Sequence, residues 1–205
     1  MKRTLAIGDI HGCYEKLVKL LSNIDYNPGE DLLIFVGDYI DRGTESYLTI
    51  QLIKECVSKG AIALLGNHEL MAINALEDDY YKSLWLYNGG QKTLDSYSYH
   101  KKYVKDDLEF FKSLPYCFEN EKYIFVHAGL NPSELEERRK EDLVWIRDEW
   151  LNCNYNGKPC VFGHTPMKDI FISENGKQIG IDTGAFYYGK LSCIELPSMK
   201  IYQVK

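Results

Sequence analysis

A spacing constrains this chain more than any other feature. Three apolar runs, Leu5-Ala6-Ile7, Leu32-Leu33-Ile34-Phe35-Val36 and Ile62-Ala63-Leu64-Leu65, each lead into a glycine and a polar loop. The loops are Gly8-Asp9-Ile10-His11-Gly12, Gly37-Asp38-Tyr39-Ile40-Asp41-Arg42-Gly43 and Gly66-Asn67-His68-Glu69. Asp9, Asp38 and Asn67 follow one another at intervals of 29 positions. A strand, loop and crossover helix together take about thirty residues or more. The spacing therefore puts the three residues at equivalent points, the carboxyl ends of successive strands of one sheet. Continuous apolar runs bounded by turn residues are strands covered on both faces, as in a parallel sheet. Between them, Leu17, Leu20, Leu21 and Ile24 recur at helical spacing and predict a helix over 14–24. Leu48, Leu52, Ile53 and Cys56 predict another over 45–58, ended by Gly60. A third helix is expected from Asn67 to about Leu76.

The rest of the chain reads less regularly. Residues 78–120 hold Trp85-Leu86-Tyr87-Asn88-Gly89-Gly90, a tyrosine-rich stretch and an amphipathic segment stopped by Pro115. They read as an inserted helical subdomain or lid. The sheet is expected to resume at Tyr123-Ile124-Phe125-Val126, which ends in His127-Ala128-Gly129. A charged helical segment over 134–142 precedes Trp145-Ile146-Arg147, and Pro159-Cys160-Val161-Phe162 is a further strand ending in Gly163-His164-Thr165-Pro166. The tail from 170 to 204 reads as β-hairpins, with Ile181-Asp182-Thr183-Gly184-Ala185 closing toward the same edge. No linker or low-complexity stretch divides the chain, so a single α/β domain over 1–205 is expected.

Charge and composition remove some classes. A net charge of −6 without a basic stripe disfavours a nucleic-acid partner. No apolar h-region precedes Leu5 and no run reaches membrane-spanning length, so neither a signal peptide nor a membrane partner is expected. The six cysteines are dispersed without a CxxC pair and read as reduced thiols. Together these point to the cytoplasm.

Five strand ends thus deliver Asp9 and His11, Asp38, Asn67 and His68, His127, and His164 to one rim. Singly, each has a plain explanation: Asn67 as a helix cap, Asp41 and Arg42 as a polar turn, Arg147 as a surface arginine. Five glycine-flanked strand ends carrying metal-type residues have no such explanation together. Histidine, aspartate and asparagine suit manganese, iron or zinc better than calcium or magnesium, which favour all-oxygen shells. Six protein ligands are too many for one ion with an open position. They suit two ions that share a carboxylate and clamp a displacement at phosphorus, with a bridging water as the nucleophile.

The ordered loops at 8–12, 37–43 and 66–69, with His127-Ala128-Gly129 and Gly163-His164-Thr165-Pro166, resemble the motifs of the phosphoprotein phosphatase (PPP) family of calcineurin-like metallophosphoesterases. Short length, Asn88-Gly89-Gly90 and Ile181–Ala185 are most similar to its bacterial and bacteriophage lambda-type serine/threonine phosphatases. The resemblance implies a central β-sandwich flanked by helices with an inserted helical lid. It implies two divalent transition-metal ions, manganese first, with iron or zinc as alternatives. Asp9 and His11 would bind one and Asn67, His127 and His164 the other, with Asp38 bridging. His68 would be the general acid, held by Asp41, and Arg42 and Arg147 would grip the phosphate. The implied activity is hydrolysis of phosphoserine and phosphothreonine in phosphoproteins or phosphopeptides, with phosphotyrosine as an extension. The alternative on the same scaffold is a bis(5'-nucleosyl)-tetraphosphatase.

Overall fold

The structure is a computed structural model that describes residues 3–205. Met1 and Lys2, at the start of the stretch on which the absence of an apolar leader was read, lie outside the described residues. Strand alternation builds the layers. In β1 (Arg3–Ile7) and β2 (Asp31–Phe35), Leu5, Ile7, Leu33 and Phe35 face one apolar core while Ala6 and Ile34 face another. The two strands are parallel, with Arg3 opposite Asp31 and Ile7 opposite Phe35. A salt bridge of 2.8 Å from Arg3 to Asp31 ties the start of that register. The short β3 (Ile62–Ala63) pairs parallel with β2.

The sheet does not resume at Tyr123 as expected. A second sheet forms there from β4 (Cys117–Glu119), β5 (Ile124–Val126), β6 (Cys160–Phe162), β7 (Phe171–Ile172) and β8 (Gln178–Gly180), in the order β4-β5-β6-β8-β7. The first sheet is completed by β9 (Leu191–Leu196) and β10 (Lys200–Val204), in the order β10-β9-β1-β2-β3. The tail is thus two hairpins, one added to each sheet. Phe125, Val161 and Ile179 of the second sheet meet Ala6, Ile34 and Ile194 of the first in a shared interior. A buried strand looks the same in sequence whether its outer cover is a helix or another sheet, which is why the break was not legible.

Helices cover both outer faces. On the first sheet lie α1 (Tyr14–Asn23), α2 (Ser46–Ser58) and α3 (Asn67–Glu77). The buried face of α2 is not the one its leucines suggested. Ser46, Thr49, Ile50, Ile53 and Cys56 are buried, and Leu48 and Leu52 only partly. The insert comprises α4 (Lys82–Trp85), a π turn at Leu86–Gly90, α5 (Gln91–Tyr99) and α6 (Leu108–Ser113). Trp85, Tyr97, Val104, Phe111 and Leu114 join the core that α1–α3 share. Its expected end at 120 is too late, because Cys117–Glu119 pairs antiparallel with β5. On the second sheet, α7 (Lys140–Trp145) and α8 (Asp148–Leu151) pack through Leu143 and Trp150. The helix expected over 134–142 begins only at Lys140, because the charged residues before it have no apolar face to bury.

Candidate metal centre

The polar loops follow β1, β2, β3, β5 and β6, so the rim spans both sheets. Their backbone is unusual. His11, Asp38, Asp41, Arg42 and His164 all have positive φ, between 47° and 70°. Non-glycine residues seldom adopt this region, and holding them there costs about 1–3 kcal/mol each at the strained end. The surroundings over-determine the geometry. The buried Glu69 carboxylate accepts N–H bonds from Asp38 (3.0 Å), Tyr39 (2.8 Å), Ile40 (3.2 Å) and Gly66 (3.1 Å). Burial pushes the Glu69 carboxyl up, to about 8, with the Asp38 charge adding to it, while the Tyr39 and Ile40 N–H groups pull it back. Glu69 is therefore a staple between the second and third loops.

Close backbone approach fixes the glycines. A Cβ on Gly66 would stand 2.3 Å from both the nitrogen and Oδ1 of Asp38, and one on Gly163 would stand 2.1 Å from Asp9 Oδ1. At Gly66 the neighbour is backbone and cannot yield, and at Gly163 it is the buried Asp9 carboxylate. Gly66→Ala is expected to destabilise the protein by about 1–3 kcal/mol, as overpacking does, and to lower metal affinity with it. A urea unfolding curve with an unchanged midpoint would contradict this.

The imidazoles are set by carbonyl partners. His11 Nδ1 donates to the Ile40 carbonyl and His127 Nδ1 to the Val36 carbonyl, each at 2.9 Å. Carbonyls only accept, so both rings carry the Nδ1 proton and present a bare Nε2. Around His127 Nε2 stand Asn67 Oδ1 at 2.9 Å, His164 Nδ1 at 3.2 Å and Asp38 Oδ1 at 3.4 Å. Among these atoms only His164 could supply a proton. Converging lone pairs in a buried site repel unless a cation lies among them, so the donor set fits a metal ion. The ionisable side chains form two tight groups, His11–Asp38–His68 and Asp38–His127–His164, which share Asp38. His11 Nε2 lies 3.6 Å and His68 Nε2 3.9 Å from Asp38 Oδ2.

Burial favours the neutral form of His11, His127 and His164, the form that ligates. It lowers His11 and His127, and it lowers His164 to about 2 with the neighbouring His127 second. Burial raises Asp38, and the pull of positive charge at the His127, His68, His11 and His164 positions works against it and lowers the carboxyl. Asp9 is pushed up by burial and then by the charges of Asp182 and Asp38. Asp182, at the end of β8, is pushed up to about 6 by burial, against the pull of the Gly184 N–H. Carboxyls crowded this way are relieved by a divalent cation.

The expected residues are not all placed alike. Asp9 stands outside the two tight groups, and both its oxygens accept the His164 N–H at 3.1 Å. His68 Nδ1 meets Asp41 Oδ2 at 2.6 Å, with both side chains buried. Arg42 reaches His11 Nε2 and lies over the Tyr187 ring, 5.1 Å from its centroid. Arg147 is held at the rim by the His164 carbonyl (2.9 Å) and the Thr165 hydroxyl (3.3 Å). Sequence reasoning missed four contributors: Glu69 as staple, Asp182 beside Asp9, and Trp85 and Thr93 on the insert. Trp85 Nε1 donates to Asp41 Oδ1 (3.1 Å) and Oδ2 (3.0 Å), and Thr93 Oγ1 to Oδ1 at 2.7 Å. Glu69 was in view as part of the third loop, whereas Trp85 and Thr93 sit 44 and 52 positions from Asp41 and give no local signal.

Fold and centre together are those of a metal-dependent phosphoesterase. The family model for calcineurin-like phosphoesterases matches residues 2–192. Serine/threonine-protein phosphatase 2 of Salmonella typhimurium is 34% identical, covering 93% of this chain and 91% of that protein. A bis(5'-nucleosyl)-tetraphosphatase PrpE (asymmetrical) of Bacillus cereus is 27% identical, covering 97% of this chain and 92% of its own. A solved structure described as a candidate diadenosine tetraphosphatase superposes with a TM-score of 0.79 at 24% identity, covering 99% of this chain and 93% of that one. The chain belongs to the calcineurin-like phosphoesterases, hydrolases of phosphoesters.

Proposed function

We propose that this chain is a phosphoprotein phosphatase that hydrolyses phosphoserine and phosphothreonine, with phosphotyrosine as a further substrate. The observation that carries the reading is the shared centre: Asp38 lies between two imidazole groups, with a buried His68–Asp41 pair beside it. Asp9, His11 and Asp38 would hold one ion, and Asp38, Asn67, His127 and His164 the other. The donor set favours manganese, with iron or zinc as alternatives. When bound, the two ions supply Lewis acidity to the phosphoryl oxygens and lower the pKa of a bound water.

The chain's own groups do the rest. Arg42 and Arg147 orient the phosphate and meet its charge with paired N–H donors. His68 donates its Nε2 proton to the leaving oxygen as the P–O bond breaks, while Asp41 keeps Nδ1. No cysteine is set up as a nucleophile. Cys13, nearest the centre in sequence, is pushed up by burial, as are the buried Cys160 and Cys193. The six cysteines are unpaired, and among the described residues no helix is long and apolar enough to cross a membrane.

A second reading, hydrolysis of dinucleoside tetraphosphates, is favoured by the PrpE likeness and by exposed rings at the rim. Phe186, Tyr187 and Tyr188 are half exposed, and Tyr187 lies against Arg42. Base–aromatic stacking is worth about 1–3 kcal/mol per base in nucleic-acid sites. The manganese-loaded enzyme should be assayed for kcat/KM on a phosphoserine peptide, a phosphotyrosine peptide and diadenosine tetraphosphate. Faster turnover of the peptides is expected. A strong preference for the dinucleotide would replace the first reading with the second.

A further inference from the structure

We infer that the helical insert belongs to the proton-delivery machinery, with Trp85 and Thr93 as positioning residues that lock Asp41 onto His68. The inference rests on the reading of His68 as the general acid. Asp41 is fully buried, and its carboxylate oxygens are occupied from three sides. Oδ2 takes His68 Nδ1 at 2.6 Å and Trp85 Nε1 at 3.0 Å, and Oδ1 takes Thr93 Oγ1 at 2.7 Å and Trp85 Nε1 at 3.1 Å. Thr93 grips the same residue twice, because its Oγ1 also accepts the Asp41 N–H at 2.8 Å. Ser46 Oγ backs this contact, 3.2 Å from the Asp41 nitrogen and 3.0 Å from Thr93 Oγ1.

The polarity of these side chains is the telling point. Trp85 and Thr93 are buried in a core where valine would fill the space of Thr93 and a plain hydrocarbon ring would do for packing at Trp85. A buried N–H or hydroxyl without a partner costs more than it contributes, so each needs a reason to be there. Among the described residues the Trp85 indole N–H has Asp41 as its only partner, and the Thr93 hydroxyl is shared between Asp41 and Ser46. The acceptor they fix has one further partner, the His68 ring. With the carboxylate unable to rotate, Nδ1 keeps its proton and Nε2 stays turned to the centre, 3.9 Å from Asp38 Oδ2. The insert also carries Gly89, whose carbonyl accepts the Arg42 N–H at 3.4 Å. The same segment therefore supports both the acid and a phosphate grip.

The test uses the manganese-loaded full chain and two substrates. Phenyl phosphate has a poor leaving group that needs a proton, and 2,4-dinitrophenyl phosphate has one that does not. Thr93→Val and Trp85→Phe should slow phenyl phosphate by about 10–100-fold, within what an intact acid contributes. They should slow the dinitrophenyl ester by less than about 3-fold on the same grounds, and Thr93→Ser should restore phenyl phosphate turnover. Equal slowing of both esters, or no slowing by Thr93→Val, would overturn the inference. If Trp85→Phe fails to fold, the Thr93→Val and Thr93→Ser pair decides the matter alone. The acid reading is tested separately by His68→Asn. Equal slowing of phenyl and 2,4-dinitrophenyl phosphate by His68→Asn removes the foundation, whereas a His68→Asn loss confined to phenyl phosphate, together with equal slowing of both esters by Thr93→Val, removes only the role of the insert.

Discussion

Asp38→Asn is expected to leave a folded protein that binds metal poorly and turns over phosphoesters at least about 10³-fold more slowly, beyond the 10–100-fold that outer ligand partners cost. The fold should persist. The substitution is isosteric, and an asparagine Oδ1 can still accept the His68 backbone N–H that Asp38 Oδ1 accepts at 3.0 Å. What is lost is one negative charge common to both donor groups, so both suffer. The readout is thermal. An ion that binds only the folded state at a hundred times its Kd stabilises by about 2.7 kcal/mol. Wild-type protein should therefore show a manganese-dependent rise in Tm that chelation reverses, and Asp38→Asn should show little or none. Elemental analysis should fall from two ions per chain toward one or none. A variant that keeps two ions and loses less than about 10-fold in rate would remove Asp38 from the shared position.

The loops were legible because glycine-flanked metal-type residues recurred at a fixed interval after apolar runs. Physics links those features directly: parallel strands repeat at the length of a crossover unit, and only strand ends can host charge. What stayed hidden was non-local. The break into two sheets could not be read, because Ile124 and Val126 face helices while Phe125 faces the other sheet, and all three are simply apolar. The buried face of α2 was only partly read: Ile53 and Cys56 are buried as expected, but the polar Ser46 and Thr49 are buried as well. Leu48 and Leu52 fit the helical period but are only partly buried, whereas Ser46 is buried and bonds Asp41 and Thr93. The left-handed backbone at Arg42 leaves no mark in the residue type, and at Asp38 and Asp41 only the weak one that aspartate tolerates this region. Trp85 and Thr93 look like ordinary core residues until the fold brings them to Asp41.

His68→Asn should separate the acid from the rest of the centre. The His68 ring is buried, its Nδ1 is taken by Asp41 at 2.6 Å, and only Nε2 is left to meet a leaving group. A positioned general acid contributes about 10²–10⁴-fold, and only where the departing oxygen needs the proton. Serine and threonine alkoxides are strong bases, and tyrosine's phenoxide, with a conjugate acid near pKa 10, is weaker. Removal of the acid should therefore cost most on a phosphoserine peptide, less on phosphotyrosine and least on p-nitrophenyl phosphate. The loss should also appear in kcat and kcat/KM together, because the proton moves in the transition state and not in ground-state binding. Metal content and the manganese-dependent Tm shift should be kept, since Asp38 still joins His127 and His164 on one side and His11 on the other. This distinguishes the variant from Asp38→Asn, in which metal and rate fall together. Equal slowing on all three substrates, or a variant stripped of metal, would reassign His68 from proton donor to ligand. The tight group His11–Asp38–His68 makes that the competing geometry.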